Sequence, residues 1–76
     1  MSDPRPLRVL IADDHPVVLQ GLASILGAHH AIEIVATCSN GATALQEIRR
    51  WEPDIAILDI SMPGLSGIEV LQAAYR

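Results

Sequence analysis

Four apolar residues, Ile55-Ala56-Ile57-Leu58, run unbroken into Asp59, and Pro63-Gly64 stops the run a few residues later. A strand that is apolar on both faces belongs between two layers, as in a parallel sheet covered by helices. Asp59 then stands where the strand ends, and the open end of an α/β sheet is where ligands bind. A carboxylate at that mouth can be a nucleophile, a metal ligand or both. It can equally be a turn-forming aspartate that caps the next element. The run by itself leaves these readings open.

Two further strands are predicted before it. Leu7-Arg8-Val9-Leu10-Ile11-Ala12 is apolar and β-branched, and leads straight into Asp13-Asp14-His15-Pro16. Pro16 suits the first turn of a helix, with Asp14 or His15 at the cap. Val18, Leu22 and Ile25 recur at helical spacing, widened by Leu19, Ala23 and Leu26, and Gly27 is the expected stop. Ile32 to Thr37 predicts a second strand, partly alternating and so nearer an edge. Asn40 offers a cap for a second helix with Ala44, Leu45 and Ile48 inward and Gln46, Glu47, Arg49 and Arg50 outward. Trp51-Glu52-Pro53 ends it, because a residue before proline is pushed out of helical geometry. Ser66-Gly67-Ile68-Glu69 matches a capping box, and Val70, Leu71 and Ala74 continue a third helix. The order β-α-β-α-β-α implies parallel strands joined by right-handed crossovers, a three-layer α/β sandwich. Residues 1–6, with two prolines, read as a loose tail, and 7–76 as one domain.

The 76-residue length allows one small domain. No apolar run approaches the roughly 20 residues of a membrane-spanning helix, and the start lacks the pattern of a signal peptide. No membrane association is expected, and the expected location is cytoplasmic. A net charge of −4 and few aromatics supply no basic surface for direct nucleic-acid binding. The single cysteine, Cys38, excludes an internal disulfide and reads as a small, partly buried apolar residue. His29 and His30 are adjacent and cannot share a face, so they read as exposed loop histidines rather than a metal pair. Trp51 is expected to pack over the end of the second helix rather than anchor an interface.

The first strand ends in Asp13 and Asp14, and the third in Asp59. If these strands are parallel neighbours, all three carboxylates emerge together. Two unit charges roughly 4 Å apart repel by about 4 kcal/mol at an effective dielectric near 20. Such a cluster must protonate one member or bind a cation. With no Cys or His counted near enough to suggest a soft-metal site, hard oxygen donors suit Mg²⁺ or Mn²⁺. The bland alternative is two aspartates that favour the dipole of the helix behind them.

Leu10-Ile11-Ala12-Asp13-Asp14-His15-Pro16 and Leu58-Asp59-Ile60-Ser61-Met62-Pro63-Gly64-Leu65-Ser66-Gly67 resemble the two leading motifs of bacterial two-component response-regulator receiver domains. The resemblance runs from about Arg8 onward. The Asp-Asp-His-Pro wording is similar to the LuxR/NarL-type branch, which usually carries a C-terminal helix-turn-helix. The resemblance implies the flavodoxin-like receiver fold, here its first three β/α units, with strands in the order 2-1-3. It implies that Asp59 is the phosphoacceptor, attacking the phosphorus of a sensor histidine kinase's phosphohistidine or of a small phosphodonor. It also implies Mg²⁺ held by Asp14 and Asp59 directly, by Asp13 through water and by the Ser61 main-chain carbonyl. Pro63 and Gly64 would shape the loop behind the nucleophile, and His15 carries no implied role. The implied module assists its own phosphorylation and is not a turnover enzyme; a DNA-binding output belongs to the longer protein. Phosphotransferases of the haloacid-dehalogenase type want a second Asp two positions after the nucleophile, where Ser61 stands. A non-phosphorylated interaction or dimerisation fragment is the remaining alternative.

A receiver has five strands and five helices, and the pattern here reaches three of each. The family's hydroxyl residue after the fourth strand and lysine after the fifth have no counterpart, and the sequence holds no Lys. An acyl phosphate on Asp59 is therefore expected to form slowly and to change the conformation little. The Ile55–Leu58 strand is expected to present an unpaired apolar edge, and the first helix to leave Leu19, Leu22 or Leu26 partly bare. A homo-oligomer is expected, joined edge to edge at the third strand with the two copies antiparallel.

Overall fold

The computed structural model describes residues 5–62 and 65–74. The Pro63-Gly64 turn, and the part of the expected tail before Arg5, lie outside the described residues. The elements are β1 (Leu7–Ala12), α1 (Pro16–Gly27), β2 (Ile32–Cys38), α2 (Gly41–Trp51), β3 (Ile55–Leu58) and α3 (Gly67–Ala74). The strands form one parallel sheet in the order β2-β1-β3, as the resemblance implied. β1 is central, which suits its apolar run, and Leu10 and Ile11 are fully buried on its opposite faces. Its pairing with β2 slips by one residue between Val9 and Leu10, so Val35 is the extra residue on the edge strand.

α2 and α3 close one face of the sheet. Leu10 and Ala12 of β1 and Cys38 of β2 pack there with Ala44, Ile48, Met62 and Val70, and Ala36, Ala56 and Leu58 complete the layer. Both helices have side-chain caps. Asn40 Oδ1 accepts from Thr43 N–H at 2.8 Å. Ser66 and Glu69 form the predicted box, Ser66 N–H donating to Glu69 Oε1 at 3.0 Å and Glu69 N–H to Ser66 Oγ at 3.2 Å. α2 ends where Glu52 turns left-handed at φ 45°, and its N–H returns to Ile48 O at 2.9 Å. The Arg8 guanidinium clamps this end, donating to the carbonyls of Trp51 and Glu52. The Arg50 guanidinium lies over the Trp51 ring.

α1 covers the other face, where Val9 and Ile11 are buried. Its inner side is Leu19, Leu22, Ala23 and Leu26, all half-buried, while Val18 and Ile25 of the predicted stripe are exposed. Hydrophobic spacing gives the width of a stripe, and the seating on the sheet selects its centre. Gly27 lies against Ile34 of β2, so α1 sits toward that strand and away from β3. On α3, Val70 and Ala74 take the inner positions and Leu71 lies 51% exposed. Among the described residues no helix is long and apolar enough to cross a membrane.

Candidate metal centre

The ladders of the sheet carry two carboxylates to one place. Beyond the last paired residues, Ala12 and Leu58, Asp13 N–H bonds Cys38 O at 3.0 Å and Asp59 N–H bonds Ala12 O at 2.9 Å. Asp13 and Asp59 are thus the next residues at the carboxyl ends of neighbouring parallel strands. Asp14 follows at the turn into α1, whose N-cap is His15. This extended N-cap makes no capping hydrogen bond with its side chain. Instead His15 N–H donates to Asp13 Oδ1 at 2.9 Å, and the ring Nδ1 lies 2.7 Å from the same oxygen. Nδ1 also lies 3.0 Å from Asp14 Oδ1 and 3.6 Å from Asp59 Oδ2.

One ligand atom from each of Asp13, Asp14, His15 and Asp59 falls within a span of 4.8 Å. The three predicted carboxylates are brought together. Ser61 touches the set through its N–H, which donates to Asp59 Oδ1 at 3.2 Å and fixes that carboxylate's orientation. The expectation that no histidine lies near enough is corrected, because His15 stands in the cluster. Its signal in the sequence was faint: a cap position whose ring has no capping work is free to turn toward the preceding aspartates. His29 and His30 stack on each other at 5.4 Å and belong to no such cluster among the described residues.

The electrostatics follow from these contacts. The His15 main-chain N–H, and then its ring, hold the Asp13 carboxyl below the usual range. The hydrogen bond to Asp13 raises the His15 imidazole above its ordinary value, and the charge of Asp14 adds to it. Asp14 Oδ1 and Asp59 Oδ2 are shut from water and receive no hydrogen bond. Two anionic oxygens left without a donor fit a divalent cation, which satisfies both at once.

α3 begins directly behind the cluster. A Cβ at Gly67 would overlap the Asp59 carbonyl, so only glycine lets the helix start approach this closely. Gly67 N–H reaches Ile60 O at 3.3 Å and ties the two segments together.

Comparison with known proteins places this geometry. Over 75 residues, 96% of this chain and 35% of the relative, it is 39% identical to Probable transcriptional regulatory protein NarL of Mycobacterium tuberculosis. The chain therefore spans about a third of the length of this curated relative. The solved signal receiver domain of the M. tuberculosis response regulator NarL superposes with a TM-score of 0.92 at 36% identity, covering 95% of this chain and 58% of that one. The CheX–CheY–BeF₃–Mg²⁺ complex of Borrelia burgdorferi matches with a TM-score of 0.78 at 32% identity, covering 88% of this chain and 51% of that one. The family model of the response regulator receiver domain matches residues 9–74, and the chain belongs to that family of two-component signalling modules.

Proposed function

We propose that the chain is the phosphoacceptor part of a response regulator and takes a phosphoryl group from a sensor histidine kinase onto Asp59. The observation that carries this reading is the pair of orphaned oxygens, Asp14 Oδ1 and Asp59 Oδ2, at the mouth of the sheet. Asp13, Asp14, Asp59 and the Ser61 carbonyl would hold Mg²⁺. When bound, the ion neutralises charge developing on the transferring phosphoryl oxygens. The Mg²⁺ named with the Borrelia relative supports this choice of ion. Asp59 is oriented by the Ser61 N–H, which leaves its other oxygen facing the cluster. Attack of an Asp59 carboxylate oxygen on phosphorus forms an acyl phosphate and releases the donor's leaving group. In the longer protein the output would be regulation of transcription, as in the NarL relative's name.

Incubation with acetyl phosphate and Mg²⁺ should add one phosphoryl group at Asp59, read by intact mass and peptide mapping. Asp59→Asn should abolish it, and omission of Mg²⁺ should suppress it. Labelling that survives Asp59→Asn would overturn the assignment.

A second reading is favoured by the apolar surface beside β3. In register with the buried Val9 and Ile11, Ile55 and Ile57 point to the face α1 covers, yet they are exposed. Val18 and Ile25 of α1 are exposed as well. The reading is self-association through this strand edge and helix flank, two copies continuing one sheet about a two-fold axis. Light scattering should report a dimer or larger species; a folded monomer at micromolar concentration would exclude it.

A further inference from the structure

We infer that His15 is a ligand of the acidic pocket, so that the pocket offers a cation an imidazole nitrogen besides its carboxylate oxygens. The inference rests on the reading that the pocket holds a divalent ion, and names the class of ion it favours. His15 Nδ1 stands 2.7, 3.0 and 3.6 Å from oxygens of Asp13, Asp14 and Asp59. Neighbouring ligands on an octahedral ion with bonds of about 2.1 Å are separated by about 3.0 Å, the bond length times the square root of two. The 2.7 Å contact is the hydrogen bond to Asp13, and a cation that takes the place of its proton would find the nitrogen spaced from Asp14 as an adjacent ligand. The His15 main-chain N–H and ring both bond Asp13 Oδ1, at 2.9 and 2.7 Å, which holds residue 15 beside the cluster. The side chain is 65% exposed, so no packing forces it there.

Imidazole suits first-row transition ions, whereas Mg²⁺ prefers oxygen and water. An all-oxygen pocket discriminates weakly between them. With His15 included, the pocket takes Co²⁺, Zn²⁺ or Ni²⁺ in preference to Mg²⁺, and the preference depends on residue 15.

The test uses Co²⁺ and Mg²⁺ on the protein carrying His29→Gln and His30→Gln, so that the stacked loop pair gives no signal. In proton NMR of the Co²⁺-saturated protein, hyperfine-shifted imidazole ring protons should appear far outside the ordinary range. His15→Ala should remove them, lower Co²⁺ affinity about tenfold or more, and change Mg²⁺ affinity by less than about threefold. Co²⁺ binding that is lost on Asp14→Asn and Asp59→Asn but shows no shifted ring protons would overturn the role of His15 and leave the pocket standing. Binding of neither ion, or binding indifferent to both carboxylate substitutions, would overturn the pocket and the inference with it. The ring signals are read in a protein with His15 intact, so the decision does not depend on the folding of the variant.

Discussion

On one face of the sheet, α2 and α3 seal Leu10, Ala12 and Cys38 beneath Ala44, Ile48, Met62 and Val70. On the other, among the described residues, α1 alone covers Val9 and Ile11, contributes no buried residue, and leaves Ile55 and Ile57 of β3 exposed. Both faces are built from the same kind of apolar residue, so hydrophobicity does not separate them. Coverage does. The closed face holds the packing that stabilises the chain, since a fully buried aliphatic side chain is worth about 1.5–3 kcal/mol over an exposed one. The acidic cluster lies at the carboxyl end of the sheet, between the start of α1 on one side and the start of α3 on the other. One layer supplies rigidity, and the start of the other supplies the cluster with Asp14 and His15.

The largest break in this comparison comes from emptying the closed face. Leu10→Ala should cost about 2–5 kcal/mol in urea unfolding, through lost burial and the cavity left behind. Ile25→Ala, on the open flank, should stay within about 0.5 kcal/mol, the range of ordinary surface changes. Equal losses would mean that α1 is as tightly held as α2 and α3. Chemical reactivity sharpens the same contrast. Cys38 is buried in the closed layer, and burial pushes its thiol above the ordinary value. Its alkylation in the native protein should be slower than in urea by at least about 100-fold, because reaction waits for opening.

The same two layers mark what was legible in the residues. All six elements were readable from period and punctuation: Pro16 and Gly27 bound α1, Asn40 starts α2, and Ser66 and Glu69 start α3. Three adjacent carboxylates followed from strand ends, but only once β1 and β3 were taken as neighbours, and that order came with the family resemblance. Val18 and Ile25 were misplaced, because spacing cannot say how a helix is rolled on its sheet. His15 was missed for a related reason: the direction of a cap side chain depends on the local φ and ψ and on what it can reach.

A smaller effect tests the seam between α3 and the acidic cluster. Gly67→Ala forces a methyl into the Asp59 carbonyl, which must move or displace α3. A cost of about 1–3 kcal/mol is expected, as for overpacking in a tight core. Because the contact is to the backbone of Asp59, amide shifts in NMR should spread to Asp59, Ile60 and Ser61 before they reach α1. Shifts confined to α3 would detach the helix from the site.

The smallest effect concerns how the helices begin. α2 starts on the Asn40 side-chain oxygen, and α3 on the reciprocal Ser66–Glu69 pair. α1 starts on Pro16, which needs no N–H partner, behind a His15 whose side chain makes no cap. Asn40→Ala should therefore remove about 1 kcal/mol, and Ser66→Ala a similar amount, both measured by urea unfolding. Exchange of the Thr43 amide should quicken in the first variant and of the Glu69 amide in the second, since these lose their acceptors. At α1 the proline presets the first turn, and the His15 ring bonds Asp13 instead of the free N–H groups of Val17 and Val18. Replacing His15 with Ala, which cannot cap, should then leave amide exchange in the first turn of α1 unchanged while it alters cation binding at the carboxylates. If that first turn instead loosened, His15 would be acting on the helix rather than on the pocket, and the division of labour between the two layers would fail at its most exposed point.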